Sequence, residues 1–161
     1  MSILHSNKSL YESIMDVVEM WANNRSKDPR TKVGAGVYDE TTGALFLGYN
    51  GFAKGVVDTS DRWERPAKYE YVIHAEENAV FKALAALGSR TSECTLFCTH
   101  KPCHRCMSKI VQVGIEHVYY KAPHDDSVIT DIIADETGTV LTLWDSYLRN
   151  NVADGNNGYP F

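Results

Sequence analysis

The strongest constraint on this chain comes from two short segments, His74-Ala75-Glu76 and Pro102-Cys103-His104-Arg105-Cys106, whose first ligand-type residues, His74 and Cys103, are 29 positions apart. Four cysteines, Cys94, Cys98, Cys103 and Cys106, fall within thirteen residues. In a cytosolic chain, the location expected here, such a cluster favours metal binding or catalysis over disulfides. The four are not equivalent. Cys94 and Cys98 lie on a predicted strand, where four residues span roughly 13 Å, too far for both sulfurs to reach one zinc at about 2.3 Å each. They read as ordinary buried cysteines. Cys103 and Cys106 are spaced i, i+3 in the first turn of a predicted helix, so both thiols face one side, and the helix N-terminus there favours the thiolate that binds metal.

A lone C-x-x-C is otherwise a redox pair. A thioredoxin-like reading places the motif early, after the first strand of a βαβ unit, and leaves His74 without a role. A structural zinc ribbon needs a fourth ligand. His74, Cys103 and Cys106 supply three, and three protein ligands with an open position is the pattern of catalytic zinc. A closed site with His100 or His104 as fourth ligand is the alternative. An acidic residue at a helix start is favourable on electrostatic grounds alone. Beside a zinc ligand, however, Glu76 acquires a chemical role, because a carboxylate off the metal can shuttle the proton of an acidified water. Asn78 stands where a metalloprotease helix carries its second histidine, which excludes that class.

At 161 residues and 43% hydrophobic content, the chain fits one domain with its own core. It has no apolar run of the roughly 18 residues that would suggest a membrane span, and "MSILHSNKSLYESIM" lacks the basic start and apolar block of a secretory signal. A cytoplasmic location without membrane attachment is expected. Sixteen basic against 21 acidic residues, net −5, argue against a polynucleotide partner, whose binding is driven by phosphate neutralisation. A small anionic ligand needs only a local pocket of cations.

Leu10, Ile14, Val17, Val18 and Trp21 recur at helical spacing in "SLYESIMDVVEMWANN". "KVGAGVY" and "ALFLGYN", joined by the turn-rich "DETTG", predict a β-hairpin, and "GFAKGVVDTSDRWERPAKYE" reads as a long polar loop. Ala79, Val80, Ala83, Leu84 and Leu87 mark a helix ending near Gly88. The strand "TLFCT", a helix from about Cys103 to Val113 and the strand "HVYY" follow. "VITDIIADE" and "WDSYLRN" predict helices around a strand "TVLTL". The alternation implies an α/β domain with a mixed sheet.

H-x-E followed by P-C-x-x-C is the signature of zinc-dependent deaminases, and "HAE" with "PCHRC" reproduces it on two successive predicted helix starts. "RSKDPRTKVGAGVY", "GYNGF", "KYEYVIHAEENAV" and "HDDS" accompany it in order. On these stretches, across about residues 10–130, the chain resembles the deoxycytidylate deaminases of the cytidine deaminase-like superfamily. It departs from them at Ala53, where a proline is usual, and at "CTHKPC", which sets His100 and Lys101 beside the metal where "LFPC" is common. Residues 131–161 carry much less of the resemblance and read as a C-terminal extension of a single zinc-dependent deaminase domain spanning 1–161.

The resemblance implies a single-domain cytidine deaminase-like α/β fold, with a mixed central sheet of about five strands flanked by helices. It implies hydrolysis of the exocyclic C–N bond of deoxycytidine monophosphate (dCMP) to deoxyuridine monophosphate (dUMP) and ammonia, a supply step for thymidine nucleotides. One catalytic Zn2+ would sit on His74, Cys103 and Cys106, with Glu76 as proton carrier. The Ala75 amide would meet the pyrimidine carbonyl and Asn50 the sugar or base, unless Asn50 is simply a turn residue beside Gly51. In the basic loop holding Arg25, Lys27, Arg30 and Lys32, Ser26 and Lys27 are the candidates for nucleotide contact. Family members are activated by deoxycytidine triphosphate (dCTP) and inhibited by thymidine triphosphate (dTTP), with Mg2+, at a separate site, and commonly assemble as hexamers. Lys54, Arg62, Trp63 and Arg65, together with Lys68, are the matching candidates here, Trp63 offering a stacking face and the cations phosphate donors. The alternatives are a nucleoside or tRNA-base deaminase of the same superfamily, or a zinc-stabilised binding module without catalysis. Glu76 argues against the last, since a structural site gains nothing from an unliganded carboxylate.

Overall fold

The structure is a computed structural model that describes residues 8–124 and 127–152. Its first helix, α1 (Leu10–Arg25), is capped at Ser9, which accepts from the Glu12 N–H while the Glu12 carboxylate accepts from the Ser9 N–H, a reciprocal arrangement that satisfies two otherwise orphaned donors. Ile14, Met15, Val18 and Ala22 form its buried stripe. The hairpin follows as β1 (Gly34–Asp39) and β2 (Leu45–Tyr49). Asp39 closes its turn by accepting from the Thr41 N–H and the Thr42 hydroxyl.

The segment expected to be a long polar loop, residues 51–70, contains β3 (Gly51–Phe52), α2 (Ser60–Trp63) and most of α3 (Lys68–Tyr71), and β4 (Val72–Ile73) follows directly, paired antiparallel with β3. Pieces of two to four residues are shorter than the repeat that sequence periodicity relies on. Tertiary contact holds them instead: the rings of Phe52 and Trp63 stack at 4.2 Å, and Tyr71 packs on Phe52 at 5.5 Å.

The remainder alternates as expected: α4 (Ala75–Leu87), β5 (Cys94–His100), α5 (His104–Gln112), β6 (His117–Ala122), α6 (Ser127–Thr137), β7 (Val140–Leu143) and α7 (Trp144–Val152). The five-stranded sheet has the order β2-β1-β5-β6-β7. β1 pairs antiparallel with both β2 and β5, whereas β5–β6 and β6–β7 are parallel and joined through helices, as parallel neighbours require. Alternate residues of β5 serve opposite faces. Leu96 and Cys98 join the core formed with α4 and α5, and Phe97 joins Ile14, Met15 and Trp144 from α1 and α7. β5 is thus buried on both sides, which is why its centre, Leu96-Phe97-Cys98, is a continuous apolar run. No helix among the described residues is long and apolar enough to cross a membrane.

One contact fixes where α4 begins. A Cβ on Gly48 of β2 would lie 2.3 Å from the Ala75 carbonyl oxygen and 2.5 Å from the Ala79 nitrogen, so only glycine lets the helix start rest directly on the strand. His74 is the residue that this contact positions.

Candidate active site

His74 and Cys103 are the N-cap residues of α4 and α5, both with extended backbone (φ −68°, ψ 153° and φ −67°, ψ 164°). Each start is tied down from outside. The His74 N–H donates to the Glu77 carboxylate at 3.0 Å, and Glu77 is ion-paired with Lys109 of α5, which couples the two helices. Thr130 of α6 donates to the Pro102 carbonyl at 2.9 Å, and the Lys101 ammonium lies 2.6 Å from Asp131. The residues just before Cys103 are therefore clamped to α6.

These supports bring the three expected ligands together. His74 Nδ1 lies 3.6 Å from Cys103 Sγ and 3.4 Å from Cys106 Sγ, and the three donor atoms all fall within 4.8 Å of one another. On a tetrahedral zinc, bonds of about 2.3 Å to sulfur and 2.0–2.1 Å to nitrogen put those atoms roughly 3.6 Å apart, so the donor set fits the ion. Its charges fit as well. The Cys103 thiol is pushed down to about 3, chiefly by a hydrogen bond from the Cys106 thiol and then by His74. The same contact raises Cys106, as does burial, and the Cys103 contact raises His74 above the usual imidazole value. The pair readily supplies one thiolate, and a dication supplies the charge that holds both.

His100 and His104 stay out of this group. His100 Nδ1 lies 2.9 Å from the Thr99 hydroxyl, and His104 Nδ1 is buried without a hydrogen-bond partner among the described residues. The site is a three-ligand one. Cys94 and Cys98 are buried, and burial is the main cause raising their thiols, Cys94 to about 11. Glu76 is 4% exposed, and burial pushes its carboxyl up to about 7, where it can both accept and return a proton near neutrality.

A cleft of about 690 Å³ opens over Glu76, His74 and Cys103, with Ala75, Asn50 and Asp28 in its walls and Cys106 buried beneath. Asn50 is fully committed within the protein. Its Oδ1 accepts from the Ser26 hydroxyl (2.7 Å) and the Val33 N–H (2.8 Å), and its Nδ2 donates to the Thr31 carbonyl (2.9 Å) and Asp28 (3.3 Å). It thus spans the loop between α1 and β1, with Ser26 buried behind it. Lys27 is exposed, 2.7 Å from Asp58, and is not part of the cleft lining. His124 of "HDDS" reaches the cleft; Asp125 and Asp126 lie outside the described residues.

The five residues suggested for a separate effector site scatter, and Lys68 is not available for one, being buried against Asp28. Trp63 is 7% exposed and covered by Phe52, so the expectation that it offers a stacking face fails. Arg62 donates to the Val57 carbonyl and sits over Tyr71. Arg65 lines the metal cleft itself, and Lys54 is exposed on the turn after β3. The sequence reading missed one strong interaction, a buried ion pair in which Lys68 Nζ is 2.7 Å from Asp28 Oδ2. The only signal for it was a lysine in an otherwise polar stretch. Asp28 also accepts from the N–H groups of Arg30 and Thr31. Burial works to raise its carboxyl, but the Lys68 and backbone hydrogen bonds outweigh it and hold the group below its ordinary value.

Residues 8–122 match the family described as the cytidine and deoxycytidylate deaminase zinc-binding region. The chain belongs to this family. It is 42% identical over 101 residues to an uncharacterized deaminase in the luxG 3′ region of Aliivibrio fischeri, covering 63% of this chain and 65% of that protein. It is 33% identical over 114 residues to the deoxycytidylate deaminase of Homo sapiens, covering 66% of this chain and 62% of that protein. The match spans between about half and two thirds of the length of such curated relatives. A dCMP deaminase from the cyanophage S-TIM5, crystallised with dCMP and dUMP, superposes with a TM-score of 0.70 at 28% identity, over 86% of this chain and 99% of that one. The cytidine deaminase-like fold of the family is the fold found here, and its zinc-binding region contains the His74, Cys103 and Cys106 cluster.

Lys68→Met leaves the Asp28 carboxylate buried without its partner and is expected to destabilise the protein by about 3 kcal/mol, with Asp28→Asn added to it recovering part of the loss. Because Asp28 titrates lower when folded, the pair's contribution is present above the ordinary value near 3.8 and disappears on acidification below it. Urea unfolding at neutral and acidic pH measures both effects. A Lys68→Met protein within about 0.5 kcal/mol of wild type would contradict this role.

Proposed function

We propose that the protein hydrolyses dCMP to dUMP and ammonia. The observation that carries this reading is Glu76, a buried carboxyl two residues from a metal ligand, facing an open cleft beside a three-ligand site. Burying such a group costs stability and returns nothing to a purely structural metal centre.

Held by His74, Cys103 and Cys106, zinc supplies the Lewis acidity that makes water nucleophilic near neutral pH. Glu76, free of the metal, takes a proton as water adds to C4 of the cytosine, delivers it to N3, and then assists the amine to leave as ammonia. The C4–N bond breaks, and C4 is left as a carbonyl carbon. The Ala75 N–H, in the first turn of α4 where backbone donors have no intrahelical partner, is the donor for the pyrimidine carbonyl. Asn50 and Ser26 hold the wall along which the sugar lies. A nucleoside or RNA base as substrate, and a non-catalytic binding module, are the competing readings.

The separating experiment is ammonia release by zinc-loaded protein from dCMP, deoxycytidine and RNA. dCMP is the expected substrate. Glu76→Gln should keep its zinc while turnover drops by about 10²–10⁴-fold. Near-normal turnover in that variant would remove Glu76 from the chemistry.

We infer from the family resemblance that the enzyme works in the cytoplasm as a homo-oligomer, a hexamer, feeding thymidine nucleotide synthesis, with dCTP activating and dTTP inhibiting in the presence of Mg2+. Lys54 and Arg62 remain the candidates for contact with those triphosphates. Opposite regulators acting through two states of an assembly shift a sigmoidal substrate curve in opposite directions. Initial rates against dCMP with Mg2+ and each triphosphate are expected to show this, and superimposable hyperbolic curves would contradict it.

A further inference from the structure

The chain carries a net charge of −5, yet Arg65, Lys68, Lys101 and Arg105 all line the one cleft that holds His74 and Glu76. Two of these cations are already neutralised: Lys68 by Asp28, and Lys101 by Asp131, both lysines being buried. The two arginines differ. Arg65 and Arg105 are exposed and have no carboxylate partner among the described residues, the contact of Arg65 being the Tyr69 ring at 5.9 Å from its guanidinium carbon. Arg105 also sits in the first turn of α5, which contains no acidic residue. A cation there faces the positive end of the helix dipole, so its position carries an electrostatic cost that an anion in the cleft would relieve.

Two unpaired guanidinium groups match the charge of a phosphate monoester, which approaches −2 at neutral pH, and arginine binds phosphate oxygens in a two-pronged geometry. We propose that Arg65 and Arg105 clamp the 5′-phosphate of the nucleotide substrate, a role the sequence had suggested for Lys27, which is held by Asp58 away from the cleft lining. The clamp rests on the deaminase reading above and gives it its selectivity for a nucleotide over a nucleoside. Arg105 lies between the ligands Cys103 and Cys106, and Arg65 lies between α2 and α3. A phosphate gripped by both is fixed in register with the metal site.

The test titrates zinc-loaded wild type, Arg65→Gln, Arg105→Gln and the charge-keeping Arg105→Lys with dUMP and with deoxyuridine by calorimetry. Each glutamine variant is expected to bind dUMP at least about tenfold more weakly, because a hydrogen bond to a charged group is lost. Deoxyuridine affinity should stay within about twofold of wild type, and Arg105→Lys should recover part of the loss. Unchanged dUMP affinity in both glutamine variants, or a parallel loss of deoxyuridine affinity, overturns the clamp. Ammonia release from dCMP by the same wild-type sample separates the two claims. Arginine-dependent dUMP binding without ammonia release refutes the deaminase reading and supports the clamp, whereas ammonia release with undiminished dUMP binding in the variants refutes the clamp alone.

Discussion

His74, Cys103 and Cys106 bring the first turns of α4 and α5 to one point that a divalent cation would fill, and much of the surrounding structure serves to make that meeting possible. Two thiols, an imidazole and the buried Glu76 carboxyl lie close together at the floor of a cleft. Without a metal between them such a set titrates as an unhappy cluster; with one, it is a coordination site. The supports are specific. Gly48 lets α4 start against β2, Lys109 and Glu77 tie the helices together, and Thr130 and Lys101 fasten the residues before Cys103 to α6.

The opposite wall of the cleft is held by a different kind of interaction. Ser26, Asp28, Asn50 and Lys68 form a connected polar network, mostly out of contact with solvent, in which the amide of Asn50 has a partner at every hydrogen-bonding position. Networks of this kind are stable only when complete, because each unpaired member keeps its desolvation cost. Its completeness fixes the loop between α1 and β1, from which Asp28 and Thr31 line the cleft. On the proposed reading, the metal would set where chemistry occurs, and this network would shape the wall beside it.

Much of this was legible in the sequence because long elements announce themselves. The helical spacing of Ile14 and Val18 and the i, i+3 placement of Cys103 and Cys106 are of this kind, although Leu10, marked by the same spacing, is exposed. The stretch from Gly51 to Tyr71 did not, since its elements are shorter than any repeat and are shaped by contacts such as Phe52 on Trp63. Trp63 looked available for stacking because exposure is a tertiary property. Lys27 read as a nucleotide contact and Lys68 as an effector cation, but partners send Lys27 to Asp58 at the surface and Lys68 into a buried pair with Asp28. Choosing His74, Cys103 and Cys106 as candidate ligands needed only residue type and spacing, and the fold brings their donor atoms together, whereas the burial that tunes Glu76 needed the folded chain.

The central claim is that one zinc is held by two sulfurs and one histidine nitrogen, with a position left for a light atom. Zinc-edge X-ray absorption on the purified protein tests it most directly. The account predicts one zinc per chain with two sulfur scatterers at about 2.3 Å and two nitrogen or oxygen scatterers at about 2.0–2.1 Å. A shell of three or four sulfurs would bring Cys94 or Cys98 into the site and contradict the account, as would a protein that binds no zinc.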